Sequence, residues 1–363
     1  MVPYRADVVG SMLRPAYLLE AREQHRRGEL SDAAFKQIED RAVDECIAIQ
    51  ERAGVAVLSD GEMRRNVFAS QLVQASEGFE RIENNTVDWF LMDGTRVSDP
   101  VTVGLTGPIR MKRNLSAEEF TYLRAKTDKP TKMTIPSPTM YAYYWVPGVS
   151  EAAYPSTGAY MAAVTDILRN EVAQLVALGA TYIQVDAPEL GMLLDPHQQA
   201  WFQRKGFAPE RMLHDGVDMI NAVIAGHPGV TFGLHICRGN DAGRYMARGS
   251  YAALAREVFT RTHAERLLLE YDDERSGDFA PLAAVPEDTI VVLGLITTKT
   301  PRQEIPDELV ARVQEASRYV PLERLALSPQ CGFASVAKGN PIPAGVQEAK
   351  LRLVADVARR IWQ

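Results

Sequence analysis

The stretch "TIVVLGLITT" (289–298) is apolar from Ile290 to Ile296 and carries no charge. A strand with one wet face alternates apolar and polar residues, whereas a strand covered on both faces does not. The run therefore reads as a buried strand of a parallel sheet. "VAVLSD" (55–60), "TYIQVDAPE" (181–189), "TFGLHIC" (231–237), "RLLLEYD" (266–272) and "RLALSPQC" (324–331) also read as strands, as do "ADVVGS" (6–11), "VTVGLTG" (101–107) and "TKMTIPS" (131–137). Longer amphipathic segments separate them. "SDAAFKQIEDRAVDECIAIQERAG" (31–54) opens on a capping Ser31 or Asp32 and closes on Gly54, and its Ala42, Cys46 and Ile49 share one face. "TGAYMAAVTDILRNEVAQLVALGA" (157–180) ends similarly at Gly179, and "GVQEAKLRLVADVARRIW" (345–362) closes the chain.

Strand–helix alternation along the whole chain predicts an α/β fold with a parallel sheet. The length of 363 residues and the strand count favour a (β/α)8 TIM barrel, read as one domain over 1–363. Nine candidates are one too many for that barrel. The run at 101–107 is assigned to an accessory hairpin in a long insertion near residues 80–125, which includes "NNTVDWFLMDG" and has little periodicity. No solenoid-length repeat or low-complexity tract is present.

Composition narrows the function. Apolar residues are 46% and charged residues 24%, with net charge −7, and the pI is about 5.5. An acidic chain without a basic stripe does not suit nucleic acid or an anionic membrane. No apolar run has the length of a membrane span, and "MVPYRADVVGSMLRP" (1–15) lacks the apolar core of a signal peptide. Three cysteines, Cys46, Cys237 and Cys331, make no disulfide framework. A cytoplasmic protein with reduced thiols is expected. Neither a phosphate-binding glycine loop nor a serine-hydrolase motif occurs.

Barrel enzymes draw their sites from the C-terminal ends of the strands. Those ends carry Ser11, Asp60 and Glu62, Ser137, Asp186 and Glu189, His235 and Cys237, Glu270, Lys299 just past a strand, and Cys331. His235 and Cys237 stand two apart, so both point to one side of their strand. With Glu270 and Cys331 they offer a His, two Cys and a Glu, a donor set that suits zinc. Other readings stand beside this one. A lone His-x-Cys is more often core packing, Glu270 could pair with Arg238 or Arg275, and Glu62 could pair with Arg64 or Arg65.

Seven motifs occur in order: "VGSMLRP" (9–15), "SDGEMRR" (59–65), "QVDAPEL" (184–190), "HICRGN" (235–240), "LEYDDERSGDF" (269–279), "GLITTK" (294–299) and "SPQCGFAS" (328–335). On these the chain resembles the catalytic barrel of cobalamin-independent methionine synthase, and most closely its single-barrel relatives. The resemblance implies zinc at His235, Cys237, Glu270 and Cys331, and homocysteine contacts at Ser11, Glu62 and Asp186. It implies a small-molecule thiol and a methyl donor as partners, with methionine as product. It also makes Asp186 and Lys299 catalytic candidates, Lys299 standing where the family has a histidine implicated in protonating the departing folate nitrogen. A lysine has an ordinary pKa near 10.4, a poor match for acid catalysis near neutrality unless desolvated. Full-length members have two barrels that share the polyglutamylated folate, and this chain has room for one. A homo-oligomer is kept open as a further partner, since the sequence does not fix the oligomeric state.

Two rival readings follow from the same barrel. One keeps the zinc and adds a thiol such as coenzyme M to an epoxide, with Lys299 or Arg238 near the new alkoxide. The other is a metal-free lyase of the uroporphyrinogen decarboxylase type, which needs an arginine-lined pocket. "TMYAYYWVPG" (139–148) is aromatic and follows a strand. It could line a donor pocket or pack under the insertion.

Overall fold

A computed structural model describes residues 4–83 and 85–363. Residues 1–3, which fall in the expected domain, and Asn84, which falls in the expected insertion, lie outside the described residues. The strands are β1 (Ser76–Arg81), β2 (Thr86–Phe90), β3 (Arg96–Pro100), β4 (Val103–Met111), β5 (Met133–Pro136), β6 (Tyr182–Asp186), β7 (Thr231–Ile236), β8 (Arg266–Glu270), β9 (Ile290–Ile296) and β10 (Leu325–Pro329). The principal helices are α1 (Ala16–Arg26), α2 (Asp32–Ala53), α3 (Gln71–Ala75), α4 (Leu115–Arg124), α5 (Thr157–Ala177), α6 (Pro188–Met192), α7 (Pro196–Arg204), α8 (Pro209–Ile224), α9 (Ala252–Leu254), α10 (Pro306–Ala316) and α11 (Ala344–Trp362).

Strands β5 to β10 form one parallel six-stranded sheet in sequential order. Every residue of β5, β6, β8, β9 and β10 is buried, as expected for strands roofed by helices on one side and packed against one another on the other. Two candidate strands, at 6–11 and 55–60, are extended segments held by single bridges. Ala6 pairs in parallel with Leu327, and Leu58 with Thr131. Ala56 N–H donates to Ala6 O at 2.8 Å. Hydrogen bonds thus pass from β10 through these two segments to β5. The fold is the α/β barrel type, regular over six strands and pinned more sparsely at the other two.

The insertion runs over different bounds from those the sequence suggests. Its strands occupy 76–111, β1 pairing antiparallel with β4 and β2 with β3. Residues 115–124, placed in the insertion by the sequence reading, are the helix α4. Asn114 Oδ1 accepts from Ala117 N at 2.9 Å and caps it, and Leu115, Phe120 and Leu123 are buried beneath it. The 101–107 run does lie in an antiparallel accessory pair, inside β4.

The opposite end of the ring is filled by charge. Asp7 takes Lys132 Nζ at 2.8 Å, Arg266 Nη2 at 3.1 Å and the Tyr182 hydroxyl at 2.9 Å, all fully buried. These side chains come from four staves of the ring and tie them together.

Candidate metal and thiol site

His235 and Cys237 lie at the end of β7, and both are buried. His235 Nδ1 is 3.1 Å from Leu268 O, which can only accept, so Nδ1 carries the proton. Nε2 is then left with its lone pair, buried and without a hydrogen-bond partner. Cys331 stands two residues past β10, also buried. One ligand atom from each of His235, Cys237 and Cys331 lies within 4.8 Å of the others.

The two thiols differ in acidity. The Cys237 thiol, aimed at Cys331, holds Cys331 well below the usual thiol range; burial opposes this and His235 adds to it. The same contact, with burial, pushes Cys237 well above its usual range. An orphaned imidazole nitrogen beside a thiol that readily ionises is a set of donors suited to a soft or borderline divalent ion. The residues therefore fit a metal.

Glu270 is not in that group. It ends β8 fully buried, where Oε2 accepts from Arg238 N at 2.9 Å and Oε1 meets Arg275 Nη2 at 3.2 Å. Burial pushes its carboxyl up, but Lys299, Arg275 and Arg238 outweigh that and hold it below the usual range. The ion pair with Arg275 is the alternative that the sequence left open. Oε1 has no hydrogen bond, so this contact is ionic.

A cavity of about 460 Å³ opens over the His-Cys-Cys group. Ser11, Glu62, Asp186, His235, Cys237 and Cys331 all line it. Glu62 follows Gly61 with a left-handed φ of 55°, uncommon for a residue with a side chain. That backbone is fixed from both ends. Asp60 Oδ1 accepts its N–H at 2.9 Å, and Arg14 Nη2 donates to its carbonyl at 2.7 Å. Its Oε1 accepts from Thr134 Oγ1 at 2.8 Å and lies 3.8 Å from Arg65 Nη1, whereas Arg64 pairs with Glu39 and Asp40. Burial raises the Glu62 carboxyl against Arg65 and Arg14. Burial also pushes Asp186 up to about 7, with His235 lowering it and Glu62 raising it. Two buried carboxyls facing one cavity repel each other and favour a cation between them. Ser11 is pressed close to the backbone of Gly332, where a side chain would run into its hydroxyl.

Lys299 does not line the cavity. It is buried, and its Nζ donates to Gly239 O at 2.7 Å, with Asn240 Oδ1 and Arg244 O each at 3.4 Å. The ammonium is thus spent on the loop after β7.

Apolar and aromatic lining is supplied partly by the insertion: Trp89, Val101, Met140, Tyr143, Tyr144 and Met192. The aromatic stretch at 139–148 both lines the cavity and packs against the insertion. Tyr143 and Tyr144 line the cavity, and Phe79 of β1 packs edge-on against Tyr144 at 5.5 Å. Sequence reasoning passed over Trp89 and Asn240. Trp89 was a lone indole in an aperiodic loop, and Asn240 was hidden in a motif read for its His and Cys.

Residues 5–359 match the model of a family described as the catalytic domain of cobalamin-independent synthase. The Bacillus subtilis (strain 168) protein YxjG, described as uncharacterized, is 33% identical over 365 residues, 99% of this chain and 95% of that protein. The 5-methyltetrahydropteroyltriglutamate–homocysteine methyltransferase of Mycobacterium tuberculosis (strain ATCC 25618 / H37Rv) is 28% identical over 334 residues. There the match takes in 91% of this chain but 40% of the longer protein. The solved structure of a candidate vitamin-B12-independent methionine synthase from Listeria monocytogenes is 29% identical and has a TM-score of 0.76, covering 100% of this chain and 99% of that one.

Proposed function

Because the chain belongs to the cobalamin-independent synthase catalytic-domain family, we propose that it is a zinc-dependent methyltransferase acting on the thiol of homocysteine to give methionine. The proposal takes residues 1–363 as one catalytic barrel. The observation that carries it is the unpartnered Nε2 of His235 beside Cys237 and Cys331, facing the same cavity as Glu62 and Asp186.

On this reading His235, Cys237 and Cys331 hold the zinc, and Glu270 is the exchangeable fourth ligand. When bound, zinc ionises a coordinated thiol near neutral pH. Glu62 and Asp186 take the substrate ammonium, each as a charged hydrogen bond in a dry site. Ser11 meets the carboxylate end. Trp89, Tyr143 and Tyr144 exclude water and position the incoming methyl carbon. Lys299 acts as a positioning residue, clamping the loop that follows the ligands His235 and Cys237.

The rival readings need a different lining. A sulfonate-bearing thiol, or a substrate with several carboxylates, calls for arginine or lysine. Among the described residues, none lines this cavity, and two carboxyls do. No described helix is long and apolar enough to cross a membrane.

Zinc per chain, measured after purification, tests the proposal. The parent holds about one ion, and Cys237→Ser and Cys331→Ser each retain less than about a tenth of that. Full zinc in both variants overturns it.

A further inference from the structure

The cavity walls also bear on the second substrate. Its ionisable lining, apart from the His-Cys-Cys group and two tyrosines, is Glu62 and Asp186. Four nearby cations are turned elsewhere. Arg14 donates to the carbonyls of Met12, Ala334 and Glu62. Arg65 pairs with Glu119 at 2.7 Å, Arg244 with Asp99 and Asp241, and Lys299 holds Gly239 O. The rest of the lining carries no charge: it joins aromatic and thioether surface at Trp89, Tyr143, Tyr144, Met140, Met192 and Met246 to valines and to the amides and hydroxyls of Asn66, Gln74, Ser70 and Thr102. Aromatic faces and buried carboxyls attract soft cations and do not complement polyanions.

The supply of protons points the same way. Transfer of a methyl group from a neutral amine leaves a nitrogen anion that must take up a proton. Tyr143 O–H is already spent on the sulfurs of Met192 (2.9 Å) and Met246 (3.3 Å). Burial pushes both Tyr143 and Tyr144 above the usual phenol range, Tyr144 to about 12. Lys299 is itself outside the lining, and its ammonium is held by the carbonyl of Gly239, a lining residue. On the reading above, Glu62 and Asp186 are committed to the amino group of the thiol substrate.

Resting on that thiol-methylation reading, we infer that the methyl donor of this site is a small methylsulfonium compound. The thiolate sulfur forms a new bond to the methyl carbon as the carbon–sulfonium bond breaks. The electron pair of the broken bond goes to the departing sulfur, which leaves as a neutral thioether. One negative and one positive sulfur become two neutral thioethers, and no proton or electron has to be supplied. The opposite charges attract strongly in a water-poor cavity, and the leaving group needs no acid.

The test uses the zinc-loaded full chain with homocysteine and four donors: trimethylsulfonium, dimethylsulfonioacetate, and 5-methyltetrahydrofolate as mono- and triglutamate. Methionine is expected from at least one sulfonium and at least about tenfold more slowly from either folate. Calorimetric binding of trimethylsulfonium to the protein should weaken about five- to thirtyfold in Trp89→Ala and recover in Trp89→Phe, as for a cation on an aromatic face. Methionine from a folate at an equal or greater rate, or from neither sulfonium, overturns the inference. The visible spectrum of the cobalt-substituted chain separates the two failures. If homocysteine changes that spectrum while the sulfoniums fail, the donor assignment alone falls. If homocysteine leaves it unchanged, the thiol reading falls as well.

Discussion

Glu189 is fully buried at the start of α6, and burial pushes its carboxyl up to about 7 against the hydroxyls of Ser137 and Thr139. Those hydroxyls donate to Oε1 at 2.5 and 2.7 Å, tying the loop after β5 to the loop after β6. An unfolded glutamate titrates near 4.3. The folded chain therefore keeps a proton that the unfolded chain releases between about pH 4 and 7. This contribution to stability is complete below that window and is lost as the pH rises through about 7. Glu189→Gln should flatten the fall of Tm between pH 5 and 8, measured by calorimetry; an unchanged slope would show that Glu189 is ionised throughout. At this scale the sequence was most legible where residue types are rare. A histidine, two cysteines and strand-end acids could be listed before any fold was known, and five of them line one cavity. Glu270 and Lys299 were less legible, because their partners depend on side-chain direction. Glu270 turns to Arg275 and the Arg238 amide, and Lys299 to a run of carbonyls.

The segment after β7 shows how elements meet at the site. Phe90 of β2 and Tyr245 exchange backbone hydrogen bonds at 2.8 and 3.0 Å, and their rings stack at 5.6 Å. Arg244 reaches Asp99 of β3 and lies over Trp89 at 5.4 Å. The insertion is thus strapped to the loop that leaves His235 and Cys237, and Lys299 pins that loop from below. Lys299→Met should lower Tm by the equivalent of about 1–3 kcal/mol, because buried carbonyls lose a charged donor. It should reduce kcat/KM without moving the acidic or basic limb of the pH–rate profile. A shifted limb would instead make Lys299 a proton carrier. The insertion's bounds escaped the sequence reading because β1–β4 are partly exposed strands whose buried positions do not alternate regularly. α4 was missed because its cap, Asn114, sits in a polar run.

Across the molecule the two ends of the ring do different work. Continuous apolar strands and helix caps made the parallel α/β architecture legible, since burial on both faces leaves a plain compositional trace. The Asp7–Lys132–Arg266 cluster left none, because its members are far apart in the chain and meet only when the ring forms. Asp7→Asn removes the buried carboxylate that Lys132 and Arg266 share and should cost about 3–5 kcal/mol in denaturant unfolding. A loss under about 1 kcal/mol would mean that the cluster does not bind the staves together. The other end carries the central claim, that the His-Cys-Cys group presents a metal to a substrate thiol. X-ray absorption at the zinc edge, with and without homocysteine, tests it most directly. The account predicts that homocysteine adds one sulfur ligand at the expense of an oxygen ligand. An unchanged ligand set at saturating homocysteine would contradict it.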